Sequence, residues 1–443
     1  MSDLLGIGAS GLRAYSAALA TIGDNIANAQ SPGYARRTLQ LRAAQAAGGD
    51  TPFVRGNIRP GGVDINGISR SVDAWLIEDA RISSGGAERT ATRLAWMDRV
   101  ESALSDDTNG IASGLTSLFT TADQLTADPA NRTLRSQFLQ AADDIASGFR
   151  TAAGQLSDMA DGIAGAAASE VETFNANLDA LEAVNIGLRK ARPGSTGEAS
   201  LLDERDRLLD TLSAHAGVSA SFDDRGAATL RVSGSGELLV GGGEVHRVAV
   251  ASGADGRLSF SVAGGAPFDT ASGSLAGLSE AANHVADQRA ALDATAADFA
   301  GQLNAAHQAG IDANGNAGSP LFTGTTAATL TATALTPDQV AAADAAGSNG
   351  NMLALGAMRG ANDPEAKWSG FLASQAQATA SARAQDSAAA TRADAANAAR
   401  SAVSEIDLDR EAGDLLRFQQ AYSAAARTIQ VAREAVQTLL NAI

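Results

Sequence analysis

Cysteine is absent from this sequence of 443 residues, and aromatic residues make up only 4% of it. A chain without thiols has no disulfide framework, no thiolate metal site and no cysteine nucleophile. Hydrophobic residues still account for 45% of the chain, and alanine runs are frequent. We therefore expect an interior of small and aliphatic side chains, as in long helix bundles. The length predicts two or more domains.

Positive charge is also scarce, because the formal net charge is −17 and the pI is about 4.6. This balance argues against nucleic acid and against an anionic membrane surface as partners. No run approaches the ~20 apolar residues of a membrane-spanning helix. The first residues contain Asp3 and no basic segment, so a cleaved secretory signal is not expected. A cytoplasmic protein fits these features, and so does a protein exported unfolded without signal cleavage.

Apolar residues recur every seven positions near both ends of the chain. The N-terminal series is Leu5, Leu12, Leu19 and Ile26, with the companions Gly8, Tyr15, Ile22 and Ala29. The C-terminal series is Leu408, Leu415, Tyr422, Ile429, Val436 and Ile443, with the companions Phe418, Ala425, Ala432 and Leu439. A heptad places both series on one helix face, so each end is predicted to be a long helix with a seam for a partner helix. The N-terminal helix is expected to stop at Ser31-Pro32-Gly33.

The seams are rich in small residues, which bury little apolar area, so two isolated helices would be only marginally stable. Additional apolar residues fall outside the seams and would face water in a monomer: Leu4, Ile7, Leu416, Val431 and Leu440. Exposed apolar stripes of this kind are typical of interaction surfaces. The pattern leaves two interpretations open. The ends either gain order by packing against other subunits, or they close a bundle within one chain.

The middle of the chain is predicted to be mainly helical with a small β-rich part. Helical periodicity covers residues 131–190, as one or two helices, and residues 200–214, 275–307 and 368–404. Short alternating runs punctuated by glycine indicate strands within residues 218–268, and residues 310–360 are expected to be dominated by loops. The predicted fold class is mainly α, an elongated multi-domain chain with paired terminal coiled-coil helices and a central bundle of long helices. The predicted domains are residues 1–35 with 406–443, residues 36–214 with 275–405, and a β-rich insertion of residues 215–274.

Asn25-Ile26-Ala27-Asn28 followed by Ser31-Pro32-Gly33-Tyr34 resembles the signature of flagellar rod, hook and hook-associated proteins. Three further segments are similar to the family of flagellar hook-associated protein 1. They begin at Leu201 (LLDERDRL), Leu303 (LNAAHQAGID) and Asp407 (DLDRE), and Leu416-Arg417-Phe418 with its continuation to Tyr422 extends the last one. These segments touch both ends and the middle, so the resemblance spans most of the chain.

The resemblance implies a structural, non-enzymatic role in an extracellular flagellum, at the junction between hook and filament. It implies type III export from the cytoplasm, self-association in a helical ring, and contacts with the hook protein and the next hook-associated protein. It also implies an export chaperone on the C-terminal helix and no cofactor. The expected assembly interface comprises Leu5, Leu12, Tyr15, Leu19, Ile22, Asn25, Ile26, Asn28, Pro32, Gly33, Tyr34, Leu408, Leu415, Phe418, Tyr422, Ile429, Val436 and Leu439. For Asn28, a simple helix-end hydrogen-bonding role is equally open.

Several motifs that suggest chemistry have a simpler interpretation. Gly6–Gly11 fits G-x-G-x-x-G, but no strand precedes it, so close helix packing is favoured over nucleotide binding. Asp312-Ala313-Asn314-Gly315-Asn316 lacks the later ligands of a calcium loop and predicts a turn. The charges at Asp203, Glu204, Arg205, Asp206, Arg207 and Asp210 are expected to form a solvated helix face, with Asp203 paired to Arg207. The four histidines show no metal-ligand spacing, and His307 is expected to act as a cation near a helix end.

Alternative functions remain in two classes. A hook or distal-rod protein shares the terminal signature, but such proteins are β-rich between their termini, and a flagellin-like second junction protein is a further alternative. An enzyme such as a cell-wall hydrolase would need a convergent acidic or metal site, and the sequence suggests none.

Overall fold

The computed structural model describes residues 2–31, 33–44, 61–105, 110–262, 265–361 and 363–441. The helices in chain order are α1 (Ser2–Ala27), α2 (Ala74–Ala103), α3 (Ile111–Ala127), α4 (Arg132–Lys190), α5 (Thr196–His215), α6 (Gly273–Gln308), α7 (Gly350–Gly356), α8 (Met358–Ala361), α9 (Pro364–Ser404) and α10 (Leu408–Asn441). The predicted mainly α class is confirmed. Within the described residues, no helix has the length and apolar character that crossing a membrane requires.

The strands are short and form small antiparallel sheets. In chain order they are β1 (Arg37–Ala43), β2 (Val63–Arg70), β3 (Val218–Phe222), β4 (Ala228–Val232), β5 (Leu238–Gly241), β6 (Glu244–Val245), β7 (Val248–Ser252), β8 (Leu258–Val262), β9 (Pro267–Phe268), β10 (Phe322–Thr323) and β11 (Thr331–Ala332). The sheet orders are β1-β2, β3-β4-β5-β6, β7-β8-β9 and β10-β11. Single 3₁₀ turns cover Ala327–Thr329 and Pro337–Gln339.

The chain folds into two compact units, each assembled from segments that are distant in sequence. Unit 1 comprises Met1–Gly85, Phe174–Arg247 and Ala390–Ile443. Unit 2 comprises Gly86–Thr173 and Val248–Ala389. The strands expected between residues 218 and 268 are present, but they belong to two separate sheets, one in each unit. The three-part division into domains remains a prediction.

Unit 1 contains an antiparallel pair of strands, β1 and β2, inside the range assigned from the sequence to the helical bundle domain. Strands β1 and β2 pair from Arg37 with Arg70 to Ala43 with Val63. The backbone N–H of Ile68 donates to the Gly194 carbonyl at 2.9 Å. A Cβ on Gly67 would lie 2.9 Å from the Gly194 Cα, so only glycine permits this contact between the hairpin and the α4–α5 turn. No strand was predicted from the sequence in this part of the chain, because β1 and β2 are held by long-range contacts and not by local periodicity.

Unit 2 concentrates the few aromatic side chains in its core. Phe149 on α4 lies 5.9 Å, centroid to centroid, from both Phe299 on α6 and Trp368 on α9. Phe299 also lies 5.3 Å from Phe322. The heptad stripe of α4 that contains Phe149 and Leu156 is buried, as its spacing predicted. These large rings therefore fix α4, α6 and α9 against one another in the core of unit 2.

The loop region of residues 310–360 is held by a buried histidine. His307 Nδ1 lies 2.6 Å from the Ser319 carbonyl, and its Nε2 accepts from the Ala341 backbone N–H at 2.9 Å. Burial lowers the pKa of His307, while the hydrogen bond to Ser319 acts in the opposite direction. The expectation of a helix-end cation is therefore wrong, since this ring is a neutral link between α6 and the following loops.

Candidate assembly site

Helices α1 and α10 lie side by side and form the paired termini of unit 1. Their closest approach uses the small residues of the seam. A Cβ added to Gly8 would lie 2.6 Å from the Ile429 Cγ1, and one added to Gly11 would lie 3.6 Å from the Ala425 Cβ. Close packing, the role favoured for the Gly6–Gly11 run, is therefore seen at Gly8. The same run lies inside α1 with no strand before it.

Three buried positions of α1 lie one residue before the predicted seam residues Leu12, Tyr15 and Leu19. Gly11, Ala14 and Ala18 are buried, whereas Leu12 and Leu19 are half-buried at the edge of the seam. Side chains on a helix lean towards its N-terminus, and small residues allow the backbones to approach. The leucines consequently flank the seam instead of filling it.

The predicted interface residues fall into three exposure classes. Two of them, Ile22 and Asn25, are buried. Half-buried are Leu5, Leu12, Tyr15, Leu19, Asn28, Tyr34, Leu415, Phe418, Ile429 and Val436. Exposed are Ile26, Gly33, Leu408 and Tyr422. Pro32 and the Leu439 side chain lie outside the described residues. The structure brings the helical members together along one pair of helices, with Tyr15 and Phe418 in ring contact at 6.2 Å.

Asn25 joins α1, β1 and α10 through four hydrogen bonds. Its Nδ2 donates to the Arg37 carbonyl at 2.9 Å and to Glu411 Oε2 at 3.0 Å. Its Oδ1 accepts from the Arg37 backbone N–H and from the Tyr34 hydroxyl, both at 3.0 Å. Burial raises the pKa of the Tyr34 hydroxyl, although Arg37 opposes the shift, so this donor keeps its proton. The Asn and Tyr of the signature are thus parts of one buried network. Asn28, by contrast, donates to the Asp24 carbonyl of its own helix.

Glu411 is the polar residue that ties α10 to α1 and to the segment before β1. It is fully buried, and Arg36 Nε donates to its Oε1 at 2.6 Å. Arg36 also lies 3.6 Å from Asp414 and donates its backbone N–H to the Ser404 carbonyl at 3.0 Å. A buried carboxylate needs such partners, because an unpaired one is costly to bury. Together, Asn25, Arg36 and Glu411 form a polar lock, the name used below, at the base of the terminal helix pair.

Three carboxylates of α5 form the centre of an ion-pair network in unit 1. Asp203, Asp206 and Asp210 lie on one face of the helix, at spacings of three and four residues. The nitrogen–oxygen contacts are Arg37–Asp203 2.7 Å, Arg70–Asp203 2.7 Å, Arg70–Asp206 2.7 Å, Arg81–Asp206 3.3 Å, Arg81–Asp210 2.7 Å, Arg205–Asp206 2.6 Å and Arg400–Asp210 2.7 Å. The arginines come from β1, β2, α2, α5 and α9, so the network fastens five elements of unit 1.

This network corrects the expectation of a solvated charged face. Asp203, Arg205 and Asp206 are buried, and Asp203 pairs with Arg37 and Arg70 instead of Arg207. Arg207 pairs with Glu204 on the exposed side of α5. Burial acts to raise the pKa of Asp206, but Arg205 and Arg70 outweigh it and hold that pKa below its ordinary value. A carboxylate held ionised among arginines is suited to structure and not to proton transfer.

The motif that begins at Asp312 has a structural role as a turn. Asp312 Oδ1 accepts from the backbone N–H groups of Asn314 and Asn316, at 2.8 and 2.9 Å, so the predicted turn is confirmed. The described residues contain no group of three or more His, Asp or Glu side chains placed to hold a metal ion.

Comparison with known proteins gives matches to the N-terminal segment and to the middle of the chain. The model of the flagellar hook-associated protein FlgK helical domain matches residues 97–322, and the model of the flagella basal body rod protein matches residues 5–34. Flagellar hook-associated protein 1 of Salmonella typhimurium is 29% identical, over 73% of this chain and 59% of its own length. That of Escherichia coli K12 is 27% identical, over 73% and 60%. That of Bacillus subtilis 168 is 22% identical, over 97% and 96%.

The chain spans about three fifths of the length of the first two relatives. A solved structure, the flagellar hook junction protein FlgK from Burkholderia pseudomallei, is 24% identical and covers 55% of this chain and 46% of its own, with a TM-score of 0.49. A rod-type N-terminal segment that pairs with a C-terminal helix defines the class as a flagellar axial protein. Within that class, the match over half of the chain is specific, and the chain belongs to the FlgK family of flagellar hook-associated protein 1.

Proposed function

We propose that this chain is a structural subunit of the bacterial flagellum that joins hook to filament and has no catalytic step. The observation that carries the proposal is the state of the terminal helices. They are paired and locked at the base by Asn25, Arg36 and Glu411, yet they present apolar side chains to water. Ile26, Leu408 and Tyr422 are exposed members of the expected interface. In a ring of subunits these side chains would be buried against neighbouring helices.

The polar lock and the apolar exterior have separate tasks in this proposal. The lock fixes the start of α10 beside the end of α1, because Arg36 bonds to both Ser404 and Glu411 and Asn25 bonds to Glu411. The exposed apolar side chains supply area that can be buried against neighbouring subunits. This area adds to the small amount that the α1–α10 seam of small residues buries within one chain. The proposed partners are further copies of this chain, the hook protein and the next hook-associated protein. Before type III export to the cell exterior, a cytoplasmic chaperone would cover the C-terminal helix.

The test replaces the chromosomal copy in the source bacterium and images the cells by electron microscopy. Deletion of all residues after Ser404 should leave hooks without filaments. Leu408→Asp should greatly reduce filament number without harming α10, because an acid is favourable at a helix N-terminus. Leu353→Asp is the matched control, since Leu353 is 63% exposed in unit 2 and Leu408 is 53% exposed. Normal filaments on the deletion strain would refute the proposal, and loss of the hooks themselves would favour a hook or distal-rod protein.

A further inference from the structure

The start of α2 carries an outward stripe, the α2 stripe, formed by Trp75, Glu78, Asp79 and Ile82. The spacing of these residues places them on one helix face. Trp75 is 70% exposed and Ile82 is 66% exposed. The other two tryptophans are engaged elsewhere, since Trp368 is buried and Trp96 lies under the Arg99 guanidinium at 4.3 Å. A large aromatic side chain left in water beside a second large apolar one is typical of a binding anchor.

The two carboxylates of the α2 stripe have no cationic partner among the described residues. Neither Glu78 nor Asp79 forms an ion pair with any residue that the structure describes. The nearby Arg81 points its guanidinium to Asp206 and Asp210 instead. The stripe therefore combines apolar area with uncompensated negative charge. Its complement is a surface that is apolar and carries at least one free cation.

Such a surface is present on α10 of the same unit. Leu416, Gln420, Ala424, Arg427 and Val431 follow one another at helical spacing along its outer face, the α10 stripe. Leu416 is 59% exposed and Val431 is 64% exposed. Arg427 forms no ion pair within the described parts of the chain, and its neighbours one turn away on α10 are uncharged.

We propose that the α2 stripe of one copy packs on the α10 stripe of a second copy, with Arg427 placed between Glu78 and Asp79. Ile82 then covers Val431, and Trp75 lies against the Ala424 side of Arg427. The two stripes are different surfaces of one subunit, so the contact is heterologous and repeats from copy to copy. A heterologous contact that does not close builds a helical array. This inference rests on the proposed function and adds to it the pair of surfaces that meet.

Cysteine cross-linking tests the contact directly, because the natural chain has no thiol. Flagella are isolated from cells that produce the chain with Ile82→Cys and Val431→Cys together, and are treated with a short bismaleimide. A ladder of covalent dimers and higher oligomers of this chain is expected on a denaturing gel. Each single variant should remain monomeric, as should the matched pair Leu353→Cys with Val431→Cys.

Charge reversal provides the second test. Arg427→Glu should lower the amount of this protein on isolated hooks about fivefold, the upper range for one exposed charge pair. Adding Glu78→Arg should restore it, whereas a general loss of stability would not be rescued. Arg433→Glu, at an exposed arginine on another side of α10, is the matched control and should have little effect.

The outcomes separate this contact from the function on which it rests. Filamented flagella without the Ile82–Val431 cross-link, and without an effect of Arg427→Glu, would overturn the contact and leave the junction role intact. A cross-link from Ile82 to a different flagellar protein would also overturn it. The junction role itself is tested by filament formation in the deletion strain, in which the α2 stripe is unchanged.

Discussion

Replacing Asp206 by Asn tests whether the ion-pair network holds unit 1 together. Asp206 is buried and contacts Arg70, Arg81 and Arg205 at 2.7, 3.3 and 2.6 Å. The substitution keeps the side-chain volume but removes the negative charge that these guanidiniums share. Removal of one partner from a buried ion pair costs about 3–5 kcal/mol, because the remaining charge is left uncompensated. For a unit of this size, the expected loss of Tm is roughly 6–20 °C.

Glu204→Gln is the matched control two residues away on the same helix. Its pair with Arg207 is partly exposed on both sides, at 43% and 48% of the side-chain area. Exposed pairs contribute at most about 1 kcal/mol, so the control should shift Tm by only a few degrees. The assay is thermal unfolding of the full chain by circular dichroism. Hydrogen exchange of α5 peptides assigns the transition to unit 1.

The pH dependence of stability is an independent test of the Asp206 charge. The pKa of Asp206 in the folded chain lies below its ordinary value of 3.8, so the charge stabilises the folded state. This contribution is fully present above pH 3.8 and is lost as the pH falls through the lower pKa of the folded chain. Asp206→Asn should therefore flatten the acid part of the stability curve. Equal effects of Asp206→Asn and Glu204→Gln would refute the network as a determinant of stability.

Two further substitutions test the terminal pair and the neutral histidine. Gly8→Val should separate α1 from α10 near Ile429 and speed amide exchange in both helices, because the added Cβ has no room. The control is Gly6→Ala, since no atom lies within 4 Å of a Cβ at that position. It should leave amide exchange unchanged or slower. Equal exchange in the two variants would contradict the close packing at Gly8. His307 has a pKa lowered by burial from an ordinary value of 6.5, so stability should decrease as the pH falls below 6.5. His307→Gln should remove that dependence when unfolding midpoints at pH 7.5 and 5.5 are compared, and an unchanged slope would show that other groups cause it.

The sequence by itself determined the long helices that carry a clear apolar period, whereas α2 and α3 were not predicted individually. Heptad spacing in residues 131–190 predicted one or two helices, which are the single helix α4 in the structure. The series from Leu408 to Val436 predicted α10 with most of its seam. Local periodicity carries this information, because one face of a helix must be apolar wherever it packs. The signature around Asn25 and Tyr34 likewise marked the part of the chain where the polar lock is found.

Only the tertiary structure decided which charges are buried and which elements pair. Asp203, Asp206 and Asp210 are visible in the sequence as charges at spacings of three and four, which is also the pattern of a solvated face. Their partners Arg37, Arg70, Arg81 and Arg400 come from distant segments, so no local window contains the network. The hairpin of β1 and β2 was missed for the same reason, since its anchor at Gly194 lies more than a hundred residues away. Periodicity indicates which secondary structure a segment prefers. Long-range packing decides whether a charged helix face is exposed to water or buried against arginines from distant segments.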